Sequence, residues 1–361
     1  RDLLIDKLAK VNSGLAPADP SKVAVTLRLA DLLADRARVS AMQDLDGSCK
    51  TCVADRAQAA RLYQGVLDRV PQANRGKVMI QLGHLHQLNN EDVQARSFYE
   101  KVAQESNEPN VAAEARLSVA EILFKKNQFA EARKIYEEVL KVPTASSRGL
   151  AAYRAAWCAY HTGDNAGAVN ELIVILQTPA LLTKTGTASN QVDVQFQEEV
   201  SRDLATFLSK RPIEGVDVQR LFDLSPASTK LSNVTLLAAE AERVGRKKEA
   251  LMVWNFVYER QNSPSERLQV LLHRAPLLLD TGERESSLKD LQAISDLWKE
   301  LKGCGQADCD ESKKLFRQFV IVWNQSEKNK PTAELSKAYG FYLEAFPTDV
   351  EMNLWGAEVA S

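Results

Sequence analysis

The chain has 361 residues, with 46 lysines and arginines against 48 aspartates and glutamates and a formal net charge of -2. No overall basic field exists to hold a nucleic acid or an anionic membrane, so neither is expected as a partner. Hydrophobic residues make up 45% and charged residues 26%, which is enough apolar surface to bury a core and too much for a disordered chain. Apolar runs such as Leu172 to Leu176 and Phe319 to Trp323 fall far short of the roughly 18 residues that cross a bilayer.

Residue 1 is Arg, with no charged-then-apolar leader after it, so the N-terminus is expected to be that of a processed or trimmed chain. In chain order one unit then recurs. An apolar-periodic helix is followed by a tight turn with Gly or Asn. A second helix places Ala four residues before an aromatic residue or Leu, often with Pro beyond. The first copy supplies Ala59, Tyr63 and Pro71, and a turn-rich insertion over 43–55 separates its helices. Leu82-Gly83 then leads to Ala95, Tyr99 and Pro109. Gln128-Phe129-Ala130-Glu131-Ala132 leads to Tyr136 and Pro143, and Thr162-Gly163-Asp164 leads to Ala168 and Leu172.

A Thr- and Ser-rich segment over 179–190 interrupts the series, and helical stretches over 192–210 and 216–224 read as a diverged helical pair. The unit resumes with Gly245 leading to Ala250, Trp254 and Pro264, then Thr281-Gly282 leading to Ser287 and Leu291. A final hairpin uses 312–325 and 332–346. Phe346-Pro347-Thr348-Asp349 then reads as a helix stop and a new start, so the natural chain is expected to continue past Ser361. No stretch alternates long enough to predict a strand. This divides the chain into 1–178, 179–230 and 231–361.

The anchoring alanines Ala59, Ala95, Ala132 and Ala168 lie 36, 37 and 36 residues apart. With Leu-Gly in the first helix, Ala then an aromatic residue in the second, and Pro after it, the sequence resembles the tetratricopeptide repeat (TPR) family over roughly 21–178 and 231–361. The repeats are degenerate. Their spacing exceeds the usual 34 or so residues, and the large residue expected early in the first helix is Arg116 in one copy and Ala152 in another. The resemblance implies an all-α fold, a right-handed superhelical solenoid of antiparallel helix hairpins. The Ala lets paired helices approach closely, the aromatic residue four positions on fills the groove from the same helix face, and the Pro ends the helix.

Five cysteines carry the possible chemistry. Cys49 and Cys52 form a C-x-x-C pair and Cys304 and Cys309 a C-x-x-x-x-C pair, both expected in loops between helices, while Cys158 reads as a small buried hydrophobe. A zinc site shared by two pairs about 250 residues apart is not expected in an array where each repeat touches only its neighbours. Two short-range disulfides, Cys49–Cys52 and Cys304–Cys309, fit better and imply an oxidising compartment, with free thiols in a cytoplasmic protein as the alternative. A redox role for Cys49 and Cys52 is a further alternative, weakened by the lack of a βαβ pattern. Asp44-x-Asp46-Gly47 fails as a calcium loop, since the register puts Met42 and Val53 at ligand positions. His84, His86, His161 and His273 show no metal-binding spacing, and no phosphate-binding or nucleophile motif is present. No catalytic residue, metal or cofactor is therefore expected, and the reading is non-enzymatic.

What remains is the first-helix face, which lines the concave groove in the TPR family. The resemblance places Tyr153, Trp157, Tyr160 and His161 on it in one hairpin. Lys77, Ile80, His84 and Gln87 lie on it in another, and Glu114, Leu117, Glu121 and Phe124 in a third. Tyr and Trp are frequent interface anchors, although a stripe at this spacing also fits core packing. The carboxylate clamp of some family members is not assembled here. The expectation is a scaffold that binds a peptide or helix of a protein partner, within a bacterial cell-envelope assembly for motility, secretion or outer-membrane and cell-wall coordination. A periplasmic or other extracytoplasmic site is expected. A cytoplasmic adaptor is the alternative, and the oligomeric state stays open.

Overall fold

A computed structural model describes residues 2–44, 49–183, 191–301, 306–327 and 331–360, with the backbone alone at 306–309. Every regular element is a helix. The first ten are α1 (Asp2–Gly14), α2 (Lys22–Gln43), α3 (Lys50–Val66), α4 (Gln72–Leu88), α5 (Asp92–Glu105), α6 (Pro109–Lys125), α7 (Phe129–Leu140), α8 (Arg148–His161), α9 (Asn165–Gln177) and α10 (Pro179–Leu182). They are followed by α11 (Val194–Leu208), α12 (Gly215–Leu224), α13 (Lys230–Arg243), α14 (Lys247–Arg260), α15 (Pro264–Asp280), α16 (Arg284–Glu300), α17 (Gln306–Ser326), α18 (Ala333–Ala345) and α19 (Val350–Ala360). Among the described residues the one β pairing is an isolated bridge between Thr183 and Val192. No helix among them is long and apolar enough to cross a membrane. The residues form two compact units, 1–171 with 178–192, and 172–177 with 193–361.

Each unit is made of antiparallel hairpins, and five of the turns between first and second helices share one geometry. Asn90, Asn127, Gly163, Gly245 and Gly282 all have positive φ, from 59° to 88°. Only Gly, and Asn among the others, takes this left-handed conformation readily. The next residue then turns its N–H back onto the preceding helix. Glu91 donates to the His86 carbonyl, Gln128 to Leu123, Asp164 to Ala159 and Arg246 to Ala241, each at 2.9 Å, and Glu283 to Leu278 at 2.8 Å. This is the Schellman closure, which satisfies carbonyls that the helix end leaves open.

Behind each turn the second helix presents its small residue. Ala59, Ala95, Ala132, Ala168 and Ala250 are wholly buried, which allows the two helix axes to approach closely. Ser287 stands at the same point of α16 and is equally buried, its hydroxyl donating to the Ala275 carbonyl on α15 at 2.8 Å. The partner bond removes the cost of burying that hydroxyl. The aromatic residues four positions beyond the alanines, Tyr63, Tyr99, Tyr136 and Trp254, are core residues. The hairpins are thus TPR-like, with degenerate repeats.

Two local features differ from the sequence expectation. Helix α3 begins at Lys50 with Cys49 as its N-cap, so the Cys49-x-x-Cys52 pair occupies the start of a helix instead of a loop. Helix α17 begins at Gln306, six residues earlier than predicted, and Cys309 falls within it. Cys304 and the Cys309 side chain lie outside the described residues, so the expected Cys304–Cys309 disulfide does too.

Close packing at Gly83 gives a direct test. A Cβ there would stand 2.4 Å from the Tyr99 ring, and Tyr99 is held by its own hydrogen bond to Gln87 at 3.1 Å. Gly83→Ala should destabilise the protein by about 1–3 kcal/mol in urea unfolding through overpacking. Gly65→Ala, also in a helix but with nothing within 4 Å, should gain about 0.5–1 kcal/mol.

A buried carboxyl gives a second. Burial raises Asp290 to about 6, outweighing the opposing effect of Arg274 3.1 Å away. A carboxyl raised in the folded state stabilises the protein fully below its unfolded value of about 3.9, and that contribution disappears as pH rises to about 6. Unfolding free energies measured from pH 4 to 7 should fall by about 2–3 kcal/mol from this source, and Asp290→Asn should remove that part of the slope.

Candidate partner-binding groove

Counting back from the left-handed turn residue puts the first helices of unit 1 in register. His84, Glu121 and Trp157 each stand six residues before it, in α4, α6 and α8. Gln87, Phe124 and Tyr160 stand three before it. Ile80, Leu117 and Tyr153 stand ten before it, and Lys77, Glu114 and Leu150 thirteen before it.

Burial then separates these lines. Lys77, Glu114 and Leu150 are exposed, and the residues at six and three before the turn are half-buried. At ten before, Ile80 is 2% exposed and Tyr153 4% exposed, with Leu117 packed against the same core as Ile80. Ile80 and Tyr153 are therefore core residues, a correction to their placement on the groove surface. The 3.6-residue helical period turns this position toward the core while leaving its neighbours more exposed.

The buried aromatic residues of the second helices reach this face with their polar ends. Tyr63 Oη donates to Asp31 of α2 at 2.5 Å, and Tyr136 Oη donates to Glu121 of α6 at 2.6 Å. In unit 2 Trp254 Nε1 donates to Glu242 of α13 at 3.1 Å. A buried Tyr or Trp needs such a partner, and the partner here is a carboxylate of the first helix. Burial pushes the Tyr63 and Tyr136 phenols far above their ordinary range, and the carboxylates of Asp31 and Glu121 push them further. They are neutral donors at neutral pH.

At the α6–α8 end of unit 1 the groove line is aromatic. The imidazole of His161 stacks on Phe129, centroids 4.2 Å apart and planes 9° apart, with Phe124 edge-on at 6.1 Å. Trp157 lies 5.5 Å from the same imidazole, and Tyr160 is edge-on to both Trp157 and His161. Arg154 covers Phe124 at 5.1 Å and pairs through Nε with Glu121 at 3.1 Å. The Glu121 carboxylate thus accepts from Tyr136 below and pairs with Arg154 beside it. The sequence reading missed Arg154 and Phe129. Phe129 opens the second helix α7, outside the first-helix face, and Arg154, though it shares the helix face of Trp157 and His161, is a cation and so adds nothing to an aromatic stripe.

At the α2–α4 end a cleft of about 590 Å³ opens between successive first helices, lined by Asp31, Asp35, Arg38, Gln81, His84 and Gln87 among others, with Tyr63 at its floor. Burial lowers His84 below the ordinary histidine value, with Glu114 acting the other way, so the ring is neutral at pH 7 and can both donate and accept. Unit 2 has a corresponding cleft, also about 590 Å³, between α13 and α15. There His273 stacks on Trp254 at 4.5 Å and shares Glu242 with it, Nδ1 standing 3.0 Å from the carboxylate.

No family model matches the sequence, and no curated protein matches it. Solved structures do. The C-terminal part of a TPR repeat-containing protein from Cytophaga hutchinsonii is 10% identical, covers 91% of this chain and 98% of its own, and superposes with a TM-score of 0.40. Yeast Tom70 is 13% identical over 96% of this chain and 69% of its own, TM-score 0.38. The apo form of the quorum sensor NprR from B. thuringiensis is 12% identical over 92% and 98%, TM-score 0.34. At these identities and scores the likenesses say nothing about function. The degenerate TPR-like character rests on the alanine, aromatic and turn geometry above.

The Glu121 junction can be tested. Tyr136→Phe keeps the ring and leaves Glu121 only Arg154 as a partner. It should cost about 1–2 kcal/mol in chemical unfolding, while Tyr136→Ala should cost about 3–5 kcal/mol by opening a cavity.

Proposed function

We propose that the protein is a non-enzymatic scaffold that holds a segment of a protein partner, an extended peptide or a helix, on the first-helix face of unit 1. The observation that carries this reading is the half-exposed layer of Trp157, Tyr160, His161, Phe124 and Phe129 with Arg154 laid over Phe124. Such a layer combines large apolar area with few rotatable bonds and a polar or charged tip, the chemistry of an interface anchor. Lys77 and Glu114, exposed on the same face, would supply its charged rim.

The compartment belongs to the same proposal. Cys49 and Cys52 have Cα atoms 5.3 Å apart and their sulfurs at bonding distance, while Cys158 is buried and its thiol is raised by that burial to about 12. The disulfide form of such a pair is favoured in an oxidising environment, which supports an extracytoplasmic, periplasmic site and a place in a cell-envelope assembly.

The test is cross-linking in the native cells followed by affinity capture. Trp157→Ala/Tyr160→Ala/His161→Ala should abolish recovery of partners while costing about 1–2 kcal/mol of stability. A control triple on exposed second-helix positions, Lys134→Ala/Glu137→Ala/Glu138→Ala, should retain them. Tyr153→Ala should instead cost about 3 kcal/mol or more, as a core truncation. Retention of the partners by the aromatic triple overturns the groove, and recovery of cytoplasmic partners alone overturns the envelope.

A further inference from the structure

The Cys49-x-x-Cys52 pair sits where the chemistry of the two sulfurs differs most. Cys49 is the N-cap of α3, and its Sγ accepts a hydrogen bond from the Cys52 backbone N–H at 3.2 Å. A helix N-terminus presents unpaired N–H groups and the positive end of the helix dipole, so negative charge on that sulfur is stabilised. Lys50 is exposed beside it. Cys52, one turn into the helix, is 1% exposed, so an incoming group can reach Cys49 and not Cys52.

The surroundings fit a polypeptide. Cys49 opens onto a cleft of about 700 Å³ whose walls include Val53, Ala57, Leu88 and Asn89. Val53 and Leu88 are 53% and 56% exposed, an apolar surface at the mouth of a reactive sulfur. The cleft is braced. Arg56 donates to the Leu88 carbonyl at 3.1 Å, tying α3 to the end of α4. Asp55 is held by Arg36 of α2 through two hydrogen bonds of 2.7 Å. The α3 turn that follows the sulfurs is therefore tied to both α2 and α4.

We propose that Cys49 and Cys52 form a thiol–disulfide exchange site whose co-reactant is a dithiol or disulfide of another polypeptide docked over Val53 and Leu88. A thiolate of the co-reactant attacks Cys49 Sγ, the Cys49–Cys52 bond breaks, and Cys52 leaves as a thiolate that takes a proton. The second thiolate of the co-reactant then attacks its own sulfur in the mixed disulfide. The co-reactant leaves as a disulfide, and Cys49 leaves as the thiolate held by the Cys52 N–H. Two electrons pass from the co-reactant dithiol to the cysteine pair, and the reverse sequence oxidises the pair.

The test uses the full chain, with modification assigned peptide by peptide. In the reduced protein, iodoacetamide should alkylate Cys49 with a midpoint at least one pH unit below the value of about 8.5 for a free cysteine, leaving Cys52 and Cys158 unreacted under native conditions. Oxidised glutathione should form a mixed disulfide at Cys49 in Cys52→Ala and none at Cys52 in Cys49→Ala. Because the alkylation profile needs no variant, it holds even if Cys52→Ala folds poorly. A Cys49 midpoint at or above about 8.5, equal reactivity of Cys49 and Cys52, or no mixed disulfide in folded Cys52→Ala would each overturn the proposal.

Discussion

A large aromatic side chain with a polar tip cannot be buried until that tip has a partner, and the hairpins of this protein are organised around that requirement. In four of the hairpins the second helix contributes a small residue where the two helices touch and, one turn later, a Tyr or Trp that fills the space between them; in the hairpins of Ala168 and Ser287 a Leu takes that place. The Tyr hydroxyl or Trp indole N–H emerges at the surface of the first helix, where Asp31, Gln87, Glu121 or Glu242 accepts it. The final hairpin keeps the geometry with the roles exchanged, Asn324 donating to the Tyr339 hydroxyl at 2.7 Å. One contact thus fixes the depth of the aromatic ring, the separation of the helices and the orientation of a polar side chain on the outer face.

The hairpins were legible in the sequence because their determinants are local. An Ala four residues before an aromatic residue, and a Gly or Asn at the turn, are read directly along the chain, and the left-handed residues at 90, 127 and 163 repeat at the same 37- and 36-residue spacing. The exposed face of the first helices was legible only in part. A helical wheel placed Ile80 and Tyr153 with their more exposed neighbours, and what buries Ile80 is packing against the next hairpin, which no local pattern encodes. The helix start at Lys50 was missed for a different reason. Its cap is a cysteine sulfur, a weak acceptor outside the usual Ser, Thr, Asp and Asn set, so the turn-rich composition of 43–55 dominated the reading.

The two proposed sites use separate parts of unit 1. The aromatic layer lies on α6, α7 and α8, and the cysteine pair lies at the start of α3 against the end of α4. The proposed cysteine site would draw its reactivity from two side chains and a helix end. Its geometry depends on the Arg36–Asp55 pair, so the local rigidity of α2 against α3 governs how the sulfurs are presented.

The register of the first helices also divides the outer surface into residues with different freedom to vary. Lys77, Glu114 and Leu150 carry a cation, an anion and an aliphatic side chain at one equivalent exposed position of three successive hairpins. Glu121, two turns further along the same helix face, is bound into the support of Tyr136 and Arg154. Over evolutionary time the first line can change sign by single substitutions without disturbing the fold, while the second can change only together with its aromatic partner. Paralogues with this scaffold would therefore diverge first in the charge of their recognition surface and last in its aromatic pattern.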